Sequence, residues 1–281
     1  MDLLQILILA VVQGAAELLP VSSSAHVIVA EKLMGLDPTA PQMTLLLVML
    51  HTGTMFAVIA YFWKSWRDSY FSSMTAFRAN ALLVVIATAL TAVVGLALLR
   101  LIRYAVAANS PDFEIEVLFG NARLMSFALG AAGLLIIVSS RVPQRGDPDF
   151  TPRGAAWVGA VQGLCLPFRG FSRSGATIST GLFLGVSRRR AEEFSFALAV
   201  VLTPPVIAKE GYRLYKAVGG ASAPDSAQLW HFFTPSLLGM ALSFLAGLAA
   251  LRWLSRWLEQ GRWHFFGVYC LFAAIIVRFI G

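Results

Sequence analysis

Charge is scarce in this chain. Asp, Glu, Lys and Arg together make up 13% of its 281 residues, whereas 58% are hydrophobic. About a quarter of the residues in a soluble domain are charged, so that class is excluded and a polytopic membrane protein is expected. Cysteine is rarer still. Cys165 and Cys270 both lie in apolar stretches, which predicts free thiols and no disulfide. There is no glycine-rich nucleotide loop and no Cys/His metal cluster. The start, Met1-Asp2, lacks the basic residues of a cleavable signal peptide, and the apolar run Leu3–Val12 is too short to span a bilayer. The net charge of +7 does not indicate a nucleic-acid partner, because the basic residues flank apolar runs, where topology explains them.

Six stretches are long enough to cross: about Met43–Trp63, Ala81–Leu99, Leu118–Val138, Phe194–Ile207, Pro235–Leu254 and Phe265–Phe279. The fourth is short and carries Pro204-Pro205, which leaves its end open. Segments 3–34 and 154–186 are different: each has two short apolar arms around a polar turn. An arm of ten residues rises only about 15 Å, half the hydrocarbon core, so each segment reads as a re-entrant hairpin. With that assignment twelve basic residues fall on one side and eight on the other. The richer side is cytoplasmic and both termini face out. The expected fold is therefore an all-α polytopic membrane domain over 1–281, with six transmembrane helices plus two re-entrant hairpins. Its inverted-repeat halves are about 1–140 and 154–281, joined by a cytoplasmic linker, Arg141–Arg153.

The two polar turns look like copies of one device. The first runs from Gln13-Gly14 through Glu17 and Pro20 to Ser22-Ser23-Ser24-Ala25-His26. The second runs from Gln162-Gly163 through Pro167 and Arg169 to Ser172-Arg173-Ser174-Gly175-Ala176-Thr177. Gln13 and Glu17 are four apart and share a helix face. A carboxylate in an apolar hairpin is costly unless paired or bound to a cation, so Glu17 is a candidate functional group. An apolar helix is expected to begin near Ala25, with Ser22 or Ser24 as its cap, and a helix start is also an anion site. Ser23 and His26, three apart, are a hydroxyl–imidazole pair suited to nucleophilic attack with general-base help. Superposing the copies sets Arg173 against Ser23, where a guanidinium suits phosphate oxygens; the plainer alternative is that Arg173 only pairs with Glu17. His51 is a weaker candidate for a site contact. Arg188–Arg190 read as a cytoplasmic anchor, and Trp63, Trp66, Trp253, Trp257 and Trp263 as an interfacial belt.

These segments resemble the undecaprenyl-diphosphate phosphatase family, also called the bacitracin-resistance proteins. That family carries (E/Q)-x-x-x-E, here Gln13 to Glu17, and P-V-S-S-x-(G/A)-H, here Pro20 to His26. It also carries P-G-x-S-R-S-x-x-T, which survives as Gly170 to Thr177. The likeness runs nearly end to end. It implies a bacterial inner-membrane enzyme, its site open to the outer face, that hydrolyses an isoprenoid lipid diphosphate with a divalent cation, Mg²⁺ or Ca²⁺. The carrier would be recycled for cell-wall synthesis, and a homodimer is implied as possible. By position the resemblance assigns Glu17 to the metal or acid–base role, Ser23 and His26 to attack and proton transfer, and Arg173 to the diphosphate. Gln13, Ser22, Ser24, Arg169, Ser172, Ser174 and Thr177 are the expected substrate contacts. Two positions depart from the family pattern: Gln13, where many members have glutamate, and Arg169, where the third motif usually has proline. The His-x-x-x-Asp of the other large lipid-phosphatase class does not follow Ser172-Arg173. A lipid-phosphate transporter would use the same arginine and helix ends, and remains the rival reading.

Overall fold

The computed structural model describes residues 2–37, 41–107, 121–143, 149–219 and 226–280. Among these residues there are ten α-helices and no strand. They are α1 (Leu3–Leu18), α2 (Ser23–Leu33), α3 (Pro41–Ser69), α4 (Met74–Ala107), α5 (Ala122–Ser140), α6 (Pro152–Cys165), α7 (Arg173–Phe183), α8 (Arg188–Gly219), α9 (Ser226–Glu259) and α10 (His264–Ile280). In a bilayer every backbone group must be satisfied within its own segment, and an all-helical chain does this.

Five helices are long and apolar enough to cross a membrane: Met43–Ser69, Met74–Ala105, Ala122–Ser140, Arg188–Tyr212 and Thr234–Glu259. The protein is thus a multi-pass membrane protein. The expected sixth span, Phe265–Phe279, is a shorter helix of 17 residues. That length rises about 25 Å, slightly less than the hydrocarbon core. The expected start of the third span, Leu118 to Gly120, lies outside the described residues, as do 38–40 and 144–148. Within the described residues α5 begins at Ala122, where the Asn121 side chain accepts from the Leu124 amide at 3.1 Å.

The fourth span does not end at Pro204-Pro205, because α8 continues through both prolines. Immediately before them Thr203 Oγ1 donates to the Ala199 carbonyl, one turn back, at 2.7 Å. Such hydroxyl bonds, with packing from neighbouring helices, let a membrane helix tolerate proline. The tryptophan belt also needs correction. Trp63 and Trp253 are exposed, but Trp66 and Trp263 are buried. Trp263 Nε1 donates to Ser139 Oγ at 3.1 Å and to Ser179 Oγ at 3.3 Å, so it is a core residue with a polar handle. Arg189 and Arg190 belong to an ion-pair cluster within the protein. Arg189 Nε and Arg190 Nη1 each pair with Glu193 at 2.9 Å, and Arg190 reaches Asp149 at 3.0 Å and Asn80 at 3.2 Å.

What positions the two hairpins is small-residue packing, the usual means of helix association in lipid. Helix α1 packs against α9, and α6 packs in the corresponding way against α4. Gly14 faces Ser243 and Ala246, whereas Gly163, its counterpart in the second copy, faces Thr91, Val94 and Gly95. One turn before Gly163, Gly159 lies against the Ala87 backbone so closely that a Cβ there would sit 2.2 Å from the Ala87 carbonyl oxygen. Thr91 Oγ1 bridges this contact, donating to Ala87 O at 2.8 Å and Gly159 O at 3.0 Å, and accepts from Gln162 Nε2 at 2.9 Å.

Gly159→Ala should therefore force α4 and α6 apart and cost about 1–3 kcal/mol, the usual range for overpacking. Gly211→Ala, where a Cβ meets nothing within 4 Å, should be neutral. Thermal unfolding of the two variants in detergent checks this. Equal midpoints would show that the α4–α6 approach is not tight.

Candidate functional site

The turns after α1 and after α6 meet, and the helices that follow them both begin at the meeting place. A cavity of about 160 Å³ lies there, lined by Ala16, Glu17, Leu19, Ser22, Ser23, Ser24, Phe171, Ser172, Arg173 and Ser174. Helix α2 starts at Ser23 and α7 at Arg173. The first start falls two residues earlier than the Ala25 read from sequence. Ser23 and Arg173 are thus each the first residue of a second arm, as superposing the copies implies.

The two helix starts differ. Ser172 is an ordinary cap whose Oγ accepts from the Gly175 amide at 3.2 Å. Ser22, at the equivalent place, has φ 67 and its side chain caps nothing; its Oγ lies 3.3 Å from Ser24 Oγ instead. A serine in that region is strained, and such residues cluster at functional sites. The first-turn amides of α2 are left without a side-chain acceptor, which is the arrangement that receives an anion.

Glu17 is the hub. Its Oε2 accepts from Ser23 Oγ at 2.6 Å and from Gln13 Nε2 at 3.3 Å, and lies 3.8 Å from His51 Nε2. Its Oε1 accepts from Arg173 Nη2 at 3.3 Å. The Arg173–Glu17 pairing is therefore present, but it uses only part of the guanidinium. Nη1 of Arg173 is buried and makes no hydrogen bond within the described residues. Arg173 thus pairs with the hub and retains a buried donor that has no partner among the described residues.

The Ser23–His26 pair expected from spacing is not formed. Ser23 gives its proton to Glu17. His26 Nδ1 lies 2.8 Å from the Ser22 carbonyl, and its Nε2 lies 2.6 Å from the Tyr269 hydroxyl on α10. The spacing argument places the two residues on neighbouring turns correctly. It fails because both ring nitrogens have other partners and a carboxylate outcompetes the imidazole for the hydroxyl.

The remaining candidates fall into two groups. Ser22, Ser24, Ser172 and Ser174 line the cavity, and Ser174 Oγ also donates to the Leu19 carbonyl across the two hairpins at 3.4 Å. Gln13, Thr177 and Arg169 do not line it. Gln13 stands behind Glu17. Thr177 stands behind Arg173, donating to its carbonyl at 2.9 Å and lying 2.6 Å from Ser195 Oγ of α8. Arg169 is exposed and acts electrostatically on Glu31, a buried carboxylate of α2 that sequence reasoning missed. Tyr269 was missed as well, since it lies 243 residues from its partner within an apolar run. His51, rated low from sequence, reaches the hub.

Fold and site together define an all-helical membrane protein whose polar cavity suits the anionic head of an amphiphile. The family model described as "Bacitracin resistance protein BacA" matches residues 6–276, and the chain belongs to that family. It is 60% identical over 278 residues to "Undecaprenyl-diphosphatase 2" of Acinetobacter baylyi, covering 99% of this chain and 98% of that protein. It is also 30% identical over 280 residues to the "Undecaprenyl-diphosphatase" of Rhodopirellula baltica, covering 98% and 97%. With the protein of the same description from Thermus thermophilus it shares 32% identity over 279 residues, covering 97% and 95%.

Proposed function

We propose that the protein hydrolyses undecaprenyl diphosphate to the monophosphate and phosphate in the bacterial inner membrane, recycling the lipid carrier for cell-wall synthesis. The observation that carries the reading is the 2.6 Å bond from Ser23 Oγ to Glu17, beside the spare donor of Arg173. Ser23 Oγ attacks the terminal phosphorus, the P–O bond to the leaving lipid monophosphate breaks, and Glu17 takes the hydroxyl proton and delivers it to the leaving oxygen. Water then cleaves the phosphoserine, releasing phosphate. Arg173 and the uncapped start of α2 hold the charge that builds on the equatorial oxygens. This assigns to Glu17 the base role that spacing gives to His26.

Phosphate release by purified protein in detergent, with no membrane gradient, tests the reading and separates hydrolase from lipid carrier. Arg173→Lys should lose roughly 10²-fold or more in turnover, because a point charge does not replace a two-pronged donor. Near wild-type turnover by the folded variant, or no phosphate release by the wild type, would contradict the proposal.

A divalent cation, Mg²⁺ or Ca²⁺, is part of the same proposal. Among the described residues no group of three or more His, Cys, Asp or Glu side chains could hold a metal ion. One carboxylate with a neighbouring amide does fit an ion whose other ligands are phosphate oxygens and water. Glu17 and Gln13 would hold it on the protein side, and when bound it neutralises diphosphate charge. Gln13→Glu adds a second carboxylate one turn away and should lower the cation requirement. Glu17→Gln should abolish cation-dependent turnover. A cation titration of the three proteins checks both. Hydrolysis by Glu17→Gln with an unaltered cation curve would remove Glu17 from the site.

The same proposal extends to topology, with inverted halves and re-entrant hairpins at α1–α2 and α6–α7. It is supported by the matching pairs α1–α9 and α6–α4 and by the 11 residues of each second arm, α2 and α7. In a background with Cys165 and Cys270 replaced, Leu36→Cys should label from outside and Val142→Cys only after permeabilisation. Labelling of both from one side would overturn the inverted arrangement.

A further inference from the structure

The reaction proposed above leaves one pair of side chains without a role. His26 sits at the edge of the site, yet it touches neither Ser23 nor Glu17. Its Nδ1 is 2.8 Å from a carbonyl oxygen, that of Ser22, which can only accept, so Nδ1 carries a hydrogen. In the neutral ring Nε2 is then a lone-pair acceptor, and its partner at 2.6 Å is the Tyr269 hydroxyl. The two rings are also stacked, with centroids 5.6 Å apart and planes inclined by 15°. The imidazole is therefore fixed in tautomer and in plane by two residues, Ser22 in the first hairpin and Tyr269 in the last helix.

Both holders are themselves fixed. The Ser22 carbonyl faces the ring because the backbone there is at φ 67, outside the regions ordinary residues prefer. Tyr269 lies on α10, which is pinned to α5 at a glycine crossing. A Cβ on Gly133 would meet the Gly267 carbonyl at 2.8 Å, so only glycine permits the approach. The next residue, Cys270, donates its thiol to the Pro20 carbonyl of the first turn at 3.2 Å. Apart from these polar links α2 and α10 share little surface. Nothing in the packing requires a tyrosine here, because Tyr269 is 44% exposed. Phenylalanine would fill the same space.

We propose that Tyr269 is a positioning residue for the phosphatase reaction, fixing the tautomer and plane of His26 so that the ring takes up the proton released when water cleaves the phosphoserine. The inference rests on the hydrolase reading given above. A phenol suits the task because its oxygen both donates and accepts. It can donate to Nε2 when the ring is neutral. It can accept from Nε2–H after the ring takes a proton from water during cleavage of the phosphoserine. The ring thus keeps its orientation through the cycle, and the proton goes on to the Ser23 oxygen as it leaves phosphorus, restoring the hydroxyl.

The test compares Tyr269→Phe, which keeps the ring and removes the oxygen, with Tyr269→Leu, which removes both. Both variants should lose about tenfold or more in kcat with KM for the lipid diphosphate near that of wild type, a fraction of what general acid–base catalysis contributes. Protein labelled with ¹⁵N-histidine gives a readout that does not depend on turnover. In Tyr269→Phe the His26 Nε2 resonance should move toward that of a free imine nitrogen while Nδ1 stays protonated. Wild-type kcat in Tyr269→Phe would overturn the proposal, and so would an unmoved Nε2 resonance. A resonance that moves in Tyr269→Phe, when the wild-type protein itself releases no phosphate, would instead place the failure in the hydrolase reading.

Discussion

The ion pair between Glu17 and Arg173 is the constraint on which the site depends. Each residue belongs to a different hairpin, and each would be costly at membrane depth alone. Together they bring the turn after α1 against the turn after α6, and the two second arms begin where the charges meet. Gln13, Ser23 and His51 then supply further contacts to one carboxylate oxygen. Breaking either partner leaves an uncompensated charge in an apolar surround, so the pair serves both the fold and the chemistry.

A second constraint is how closely backbones approach. Lipid gives helices no hydrophobic drive to associate, so close packing must supply it. Gly14, Gly159, Gly163 and the Gly133–Gly267 crossing are the places where it does. The arms of the two hairpins are short, and the longer helices pack around them. The polar groups of the site are therefore displayed by segments that the long helices clamp. The α4–α6 contact, distant from Glu17 in sequence, governs where Arg173 stands.

Much of this is legible in the chain itself. The helical class, five of the six expected spans and the two polar turns follow from apolar run length and the repeated Gln-Gly and Ser-x-Ser pattern, whereas the pairing of Glu17 with Arg173 is there only as the plainer alternative. What failed to follow is local. Ser23 and His26 have a suggestive spacing, but spacing does not show that Nδ1 is taken by a strained Ser22 carbonyl. Arg169 looks like a phosphate ligand because it sits in the motif, yet it is exposed and does not line the cavity. Pro204-Pro205 leaves the end of the fourth span open, and the helix runs on through both to Gly219. Trp66 and Trp263 resemble interface anchors until their partners are known. Tyr269 gave no sign at all, because an aromatic residue in an apolar run carries no mark of a partner 243 positions away.

The central claim is that the two hairpins act as one site through a single carboxylate–guanidinium pair. A double-mutant cycle on kcat/KM for undecaprenyl diphosphate, using Glu17→Gln, Arg173→Gln and the double variant, addresses it most directly. Groups that work as a unit are strongly non-additive. The account predicts that the double variant is little worse than the poorer single one. Losses that simply multiply would show two independent groups and contradict it.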